Sequence, residues 1–284
     1  MPIPIRLLLA LFLLCFGGEL RADVVRYPLP ESEGDQRLEY PRQLLELALS
    51  KTDVPYRIEF PSTRMNQERQ AAELEGGRSL DVAPIPSSAE RESRLLPIRI
   101  PLNKGLLGWR IGLVRKGDEN LMAQVKSIDD LHKIRIVQGH EWPDTTILRS
   151  NGVKVLTGPD YNGLFRMLAA DRFDYFPRSV MEIWSELEAH ADLGLDRHVA
   201  LHYFYDSYFF VNKKNTKLAS DIERGLEKAI ADGSFERLFQ RHWGDALRKA
   251  RLDERIVIEM RNPLLTPETP SARAELWYRH GAGR

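Results

Sequence analysis

Residues 66–85, NQERQAAELEGGRSLDVAPI, hold the reading on which the fold turns. Asn66 to Glu75 reads as a helix, Gly76-Gly77 as its stop, and Leu80 to Ile85 as a strand. Upstream, Tyr56 to Phe60 reads as a strand. Pro41 to Lys51 reads as a helix with Leu44, Leu45, Ala48 and Leu49 on one apolar face and Pro41 allowed in its first turn. Asp23 to Leu29 is a further short strand, ending in a proline-rich loop. A β-α-β-α-β run of this kind predicts a mainly parallel sheet with helices on its faces.

Downstream, Leu106 to Arg115 is apolar and strand-like, closed by a turn at Lys116-Gly117-Asp118. A second α/β series follows it. Ser127 to Leu131 reads as a capped helical turn, Ile134 to Gln138 as a strand, and Thr145 to Ser150 as part of a helix. Lys154 to Leu156 and Phe173 to Phe176 read as strands. Asp160 to Ala170 and Val180 to His190 read as helices, the first with Leu164 and Leu168 at i, i+4. His198 to Val211 is aromatic and β-branched, again strand-like. Ser220 to Ala231 places Ile222, Leu226 and Ile230 on one face, and a helix from Ser234 to Trp243 follows the Gly233 break. Two α/β units joined by two extended segments form a hinge pattern: lobe one in 23–110 and 204–260, lobe two in 111–203. In open α/β sheets a ligand sits outside the carboxyl ends of the strands. The loops after Leu29, Phe60, Ile85, Gln138 and Phe176 are therefore expected to line one cleft.

The chain of 284 residues carries 41 basic and 41 acidic side chains, a balance that excludes a general nucleic-acid binder. Met1 to Ala22 reads as a secretory signal peptide: Arg6, an apolar run from Leu7 to Phe16, Gly17-Gly18, then Ala22. The run is about half of the ~20 residues that span a bilayer, so an uncleaved anchor is the weaker alternative. Leu14 precedes Cys15 where a lipoprotein signal puts a small residue, which argues against lipidation. Removal of this leader leaves 39 basic and 40 acidic residues and no cysteine, as suits an oxidising periplasm.

Three stretches together resemble the bacterial extracellular solute-binding proteins of family 3. Leu80-Asp81-Val82-Ala83 with Ser87-Ser88-Ala89-Glu90-Arg91 is similar to that family's strand and "T-x-E-R" helix start. Leu107 to Lys116 with Ile128-Asp129-Asp130-Leu131 is similar to its crossover strand and the entry to lobe two. Asp232-Gly233-Ser234-Phe235-Glu236, running to Trp243-Gly244, is similar to its close. The resemblance spans roughly residues 23 to 245. It implies an α/β, two-lobed periplasmic-binding-protein-like fold, each lobe a mainly parallel sheet flanked by helices, joined by two hinge strands and closing on a solute.

Mapped residue by residue, the resemblance gives Arg91 the role of gripping a ligand carboxylate, with Ser87 and Ser88 beside it. An arginine suits that role because its planar, permanently charged fork meets both oxygens. Pro86 stands where the family has a threonine. The family's ammonium-binding aspartate maps to Ser179, next to Arg178, so the cationic half of an amino-acid clamp is missing unless Glu182 or Glu141 replaces it. Arg91 and Arg178 facing one cleft would favour an anion such as an organic acid; alternatively Arg178 pairs internally with Glu141 or Glu182. Tyr27 and Trp142, with Trp109, are candidates to stack on the ligand, against the alternative that they are core or lobe-interface residues. His140 and Glu141 follow the first strand of lobe two, where the family has a ligand-facing loop.

His198 and His202 are i, i+4 in a strand-like stretch, a poor zinc pattern, and neither a metal nor a cofactor is expected. No G-x-S-x-G, Walker or G-x-G-x-x-G motif occurs. The expected activity is that of a monomeric, periplasmic solute-binding protein handing a small polar solute to ABC transporter membrane subunits or to a sensor. Two alternatives stay open: a dehydratase-like enzyme with Glu141 or Glu182 as its acid, and a ligand-free accessory protein. The tail from Arg261 to Arg284 is too proline-rich for a helix and reads as an extended strap, with Leu264, Leu265 and Trp277 able to pack on lobe one.

Overall fold

The computed structural model describes residues 22–31, 33 and 35–281. The expected signal peptide, apart from Ala22, lies outside the described residues. In chain order the strands and helices are β1 (Asp23–Arg26), α1 (Glu39–Leu49), β2 (Tyr56–Glu59), α2 (Gln67–Glu75), β3 (Val82–Pro86), α3 (Ala89–Arg94), β4 (Leu96–Ile98) and β5 (Trp109–Arg115). They continue with β6 (Ile136–Gly139), α4 (Pro143–Ser150), β7 (Val155–Gly158), α5 (Tyr161–Ala169), β8 (Phe176–Ser179), α6 (Ile183–Ala189) and β9 (Leu193–Leu195). The last are β10 (Val199–His202), β11 (Ser207–Val211), α7 (Thr216–Ala231), α8 (Ser234–Ala250) and β12 (Ile256–Glu259).

The opening stretch folds as its chemistry requires. The Asn66 side chain accepts the Arg69 N–H as the N-cap of α2, satisfying one orphan donor of the first turn. The chain then turns at Gly77, which adopts a positive φ of 61°. Asp81 enters β3 by donating its N–H to the Arg26 carbonyl at 3.0 Å, and its carboxylate holds the Arg26 guanidinium at 2.7 Å. That junction links the parallel pair β1–β2 to the set β3–β11–β4, and α1, α7 and α8 cover this lobe.

In lobe two β6 and β7 run parallel, and β6 meets the start of the β8 segment through the parallel bridge Ile136–Tyr175. The sheets are mixed, more so than a mainly parallel reading anticipates. β11 runs antiparallel to β3 and β4, and β5 antiparallel to β8, β9 and β10. The physical reason is the hinge: each of these strands continues a segment that crosses between the lobes, and it joins its sheet from the opposite direction.

The two crossings lie side by side, with Leu201 opposite Arg110 and His202 opposite Trp109. Their contact is so close at Gly108 that a Cβ there would collide with the Tyr203 carbonyl. The strap adds a third strand to this junction, since β12 pairs parallel with β10. Beyond it, Arg261 and Asn151 exchange hydrogen bonds (2.9 and 2.6 Å), so the strap first touches lobe two. Leu264 accordingly packs on the cluster containing Val114, Ile136 and Leu148, a correction to its expected place on lobe one. Trp277 does join the large cluster that includes Leu44, Leu226 and Phe239, seated over Gly105.

Candidate functional site

Arg91 lies in the short helix α3, whose start is fixed by the Ser88 hydroxyl accepting the Arg91 N–H at 3.2 Å. Its half-buried guanidinium donates to the Pro86 carbonyl at 2.8 Å. Among the described residues no carboxylate forms an ion pair with it. The Ser87 hydroxyl donates to Glu92 at 2.5 Å, and Glu92 also holds Arg99 at 2.6 Å. Both serines are thus engaged within their own loop.

Across the junction stand Tyr203 and Tyr205 of the returning crossover, both buried. Burial raises the Tyr205 phenol above its ordinary range. The charges acting on it come from both lobes: Asp144 and Glu182 push it further up, and Arg110 and Arg91 pull it down. The charges that act on this one side chain thus belong to residues of both lobes. Arg37, in the loop after β1, pairs with Glu31 and Asp35, and its charge also helps hold the Glu182 carboxyl down.

The lobe-two wall is a chain of charges. Arg110 and Asp144, both buried, pair at 2.8 Å, and Tyr203 bridges them, accepting from Arg110 Nε at 3.1 Å and donating to Asp144. Glu182 Oε2 then lies 3.5 Å from Arg110 and 3.1 Å from Arg178. Arg178 meets Glu186 through Nε (2.9 Å to each oxygen) and Nη2 (2.7 Å), and Glu186 accepts the Tyr161 hydroxyl at 2.8 Å. Burial alone would raise the Glu182 carboxyl, but Arg178 and then Arg110 outweigh it and hold the group below the usual carboxylate range. Three carboxylates thus face two guanidiniums.

The remaining expected site residues take varied places. Ser179 is fully buried, its hydroxyl donating to the Leu106 carbonyl at 3.0 Å and accepting the Met181 N–H at 3.2 Å. Tyr27 is 1% exposed, in the lobe-one core, and donates to the Leu38 carbonyl. His140 and Glu141 are exposed, with His140 Nδ1 3.3 Å from Thr157 Oγ1. Trp142 is half-buried against Phe176 and Tyr161. Trp109 is buried under His202 and belongs to the hinge packing. His202 binds Glu259 and His198 binds Asn120, on separate neighbours.

The sequence reading did not single out Arg110, Asp144, Tyr161, Glu186, Tyr203 or Tyr205. Arg110 had a signal: a guanidinium inside the apolar run Leu106 to Val114 must find a buried acid. Which acid it finds depends on tertiary packing and leaves no trace in spacing.

Scanned against protein-family models the sequence matches none, and no curated protein matches it. Solved structures do match. The probable amino-acid ABC transporter extracellular-binding protein of Bacillus subtilis superposes with a TM-score of 0.61 at 16% identity, covering 79% of this chain and 99% of that one. The L-cystine solute receptor of Neisseria gonorrhoeae in its unliganded open conformation gives 0.53 at 14%, covering 79% and 94%. An ancestral arginine-binding protein bound to arginine gives 0.52 at 17%, covering 78% and 98%. At these identities the likeness establishes the α/β fold of two-lobed periplasmic binding proteins.

Proposed function

We propose that the protein binds a small polar solute bearing a carboxylate between its lobes and closes over it. Its role would be that of an exported solute-binding protein serving a transporter or a sensor. The observation that carries this reading is the contrast between Arg91 and the other arginines of the cleft. Arg110 and Arg178 are paired with acids, whereas the Arg91 guanidinium holds only a backbone carbonyl. A ligand bridging Arg91 and lobe two would be complete only in the shut form, so binding shifts the population toward it.

The preference for an organic acid rested on Arg178 facing the solute. Its donors go to Glu186 and Glu182, and the lobe-two wall carries one more acid than base, which favours a zwitterion over a dianion. Glu182, with 37% of its side chain exposed, is our candidate for the ammonium that Ser179 cannot take. A dehydratase reading with Glu182 as its acid fares worse, because a general acid needs a raised pKa and Glu182 is held low. A ligand-free accessory role retains one supporting observation: the lobe-two arginines are already paired internally.

A thermal-shift panel of amino acids and organic acids, repeated on Arg91→Ala, separates these readings. Stabilisation by a zwitterion that disappears in the variant is expected. Stabilisation by dicarboxylates alone would overturn the zwitterion reading, and no response to any solute would favour the accessory role.

A further inference from the structure

Arg178 sits in an enclosure built like a guanidinium receptor. Glu186 takes its Nε and Nη2, Glu182 Oε2 lies 3.1 Å from the same Nη2, and the rings of Trp142, Phe176 and Tyr161 lie 4.8, 5.2 and 5.7 Å from its guanidinium carbon. An internal salt bridge requires one acid; here two acids and three rings converge on one cation. They come from the loop after β6, the first turn of α5, β8, and the turn and helix that follow β8. Gly139 keeps the indole laid against the strand end, since a Cβ there would strike the Trp142 ring. A planar, weakly hydrated cation suits such a set: it stacks on ring faces while its edge meets carboxylates. The enclosure lies at the carboxyl ends of β6 to β8, on the edge where an open α/β sheet holds its ligand.

We propose that this enclosure is a guanidinium-type cation subsite of the lobe-two wall, filled by the chain's own Arg178, and that Arg178 thereby excludes solutes with a cationic side chain. The exclusion rests on the cleft being a solute site, as argued above; the filled subsite does not. Arg178 is 5% exposed and Glu186 likewise. Shortening Arg178 leaves the Glu186 carboxylate buried with only the Tyr161 hydroxyl as a partner, so the emptied space demands a cation.

The test is to titrate Arg178→Ala and the unaltered protein with methylguanidinium and methylammonium chlorides at matched ionic strength, following thermal unfolding. The expected result is saturable stabilisation of the variant by methylguanidinium at concentrations at least tenfold lower than any effect on the unaltered protein. Methylammonium should act more weakly, and adding Glu186→Gln should abolish the response. Equal responses of variant and unaltered protein, or no preference for the guanidinium, would overturn the subsite. Arg178→Leu, which keeps apolar contact with the rings, carries the same titration should the alanine variant not fold. Calorimetry with L-arginine then reads the exclusion: binding gained by the variant supports it. Methylguanidinium binding without L-arginine binding leaves the subsite standing and removes it from the solute cleft.

Discussion

Asp206, on the returning crossover, accepts both the backbone N–H (3.0 Å) and the side-chain amide (2.9 Å) of Asn103 on the outgoing one. It also accepts the N–H groups of Gly105 and Ser207, so a single buried carboxylate ties the two hinge segments together. Burial pushes its pKa up to about 6, against these four donations. The folded state then holds this proton more tightly than the unfolded chain, whose aspartates titrate near ~3.9. The stability that Asp206 contributes is fully present below about pH 4 and is lost as pH rises through about 6, a difference of about 3 kcal/mol. Urea unfolding of the protein and of Asp206→Asn should therefore show the native residue gaining on asparagine as pH falls from 7 to 4. A difference independent of pH would mean that the donors fully offset burial.

Much of the fold was legible because its signals are local. The α2 helix, its glycine stop and β3 follow from capping, backbone freedom and apolar runs within twenty residues. Of the proposed site, the sequence offered Arg91, through a short motif. The Arg110–Asp144–Tyr203 group joins residues 34 and 59 positions apart in chain order, and no periodicity records that meeting. Arg178 and Ser179 show the same limit. Neighbours in one strand, they face different surroundings, one toward Glu186 and the other toward the hinge carbonyl of Leu106.

The Arg110–Asp144 pair supplies a prediction about stability. Both side chains are less than 8% exposed. Asp144→Ala leaves Arg110 with Glu182 at 3.5 Å and the Tyr203 oxygen, and should cost about 3–5 kcal/mol in chemical denaturation. The double change Arg110→Met with Asp144→Leu should recover most of that, because the pair's attraction mainly offsets its own desolvation. A double variant as unstable as the single one would assign the group a further structural role.

Arg91 should behave in the opposite way. Its guanidinium is half-buried and makes one side-chain hydrogen bond, so Arg91→Ala should cost no more than about 1 kcal/mol in stability. The same change should weaken binding of a carboxylate-bearing solute by about 3 kcal/mol, over a hundredfold in Kd. Calorimetry on a solute identified by the thermal panel reads the second quantity and urea unfolding the first. Unchanged affinity would remove Arg91 from the site.

The strap gives the last prediction. It leaves lobe two at Asn151, reaches lobe one where the Thr266 hydroxyl donates to Glu92 at 3.2 Å, and returns to the hinge. There Trp277 packs edge-on against Phe204 and donates to the Pro270 carbonyl, and the Tyr278 N–H reaches the Lys104 carbonyl at 2.7 Å. Trp277→Ala removes a large buried ring beside Gly105 and should cost about 3–5 kcal/mol. Thr266→Ala should cost only about 1 kcal/mol, since it deletes one hydrogen bond. Yet that bond is where a segment anchored on lobe two grips the helix that carries Arg91. Separation of the lobes must stretch the strap between Asn151 and Glu92, so its release should widen the solute-free protein. Small-angle scattering should show a larger radius of gyration for Thr266→Ala without solute and an unchanged one with it. Identical solute-free radii would show that the hinge strands alone set the opening.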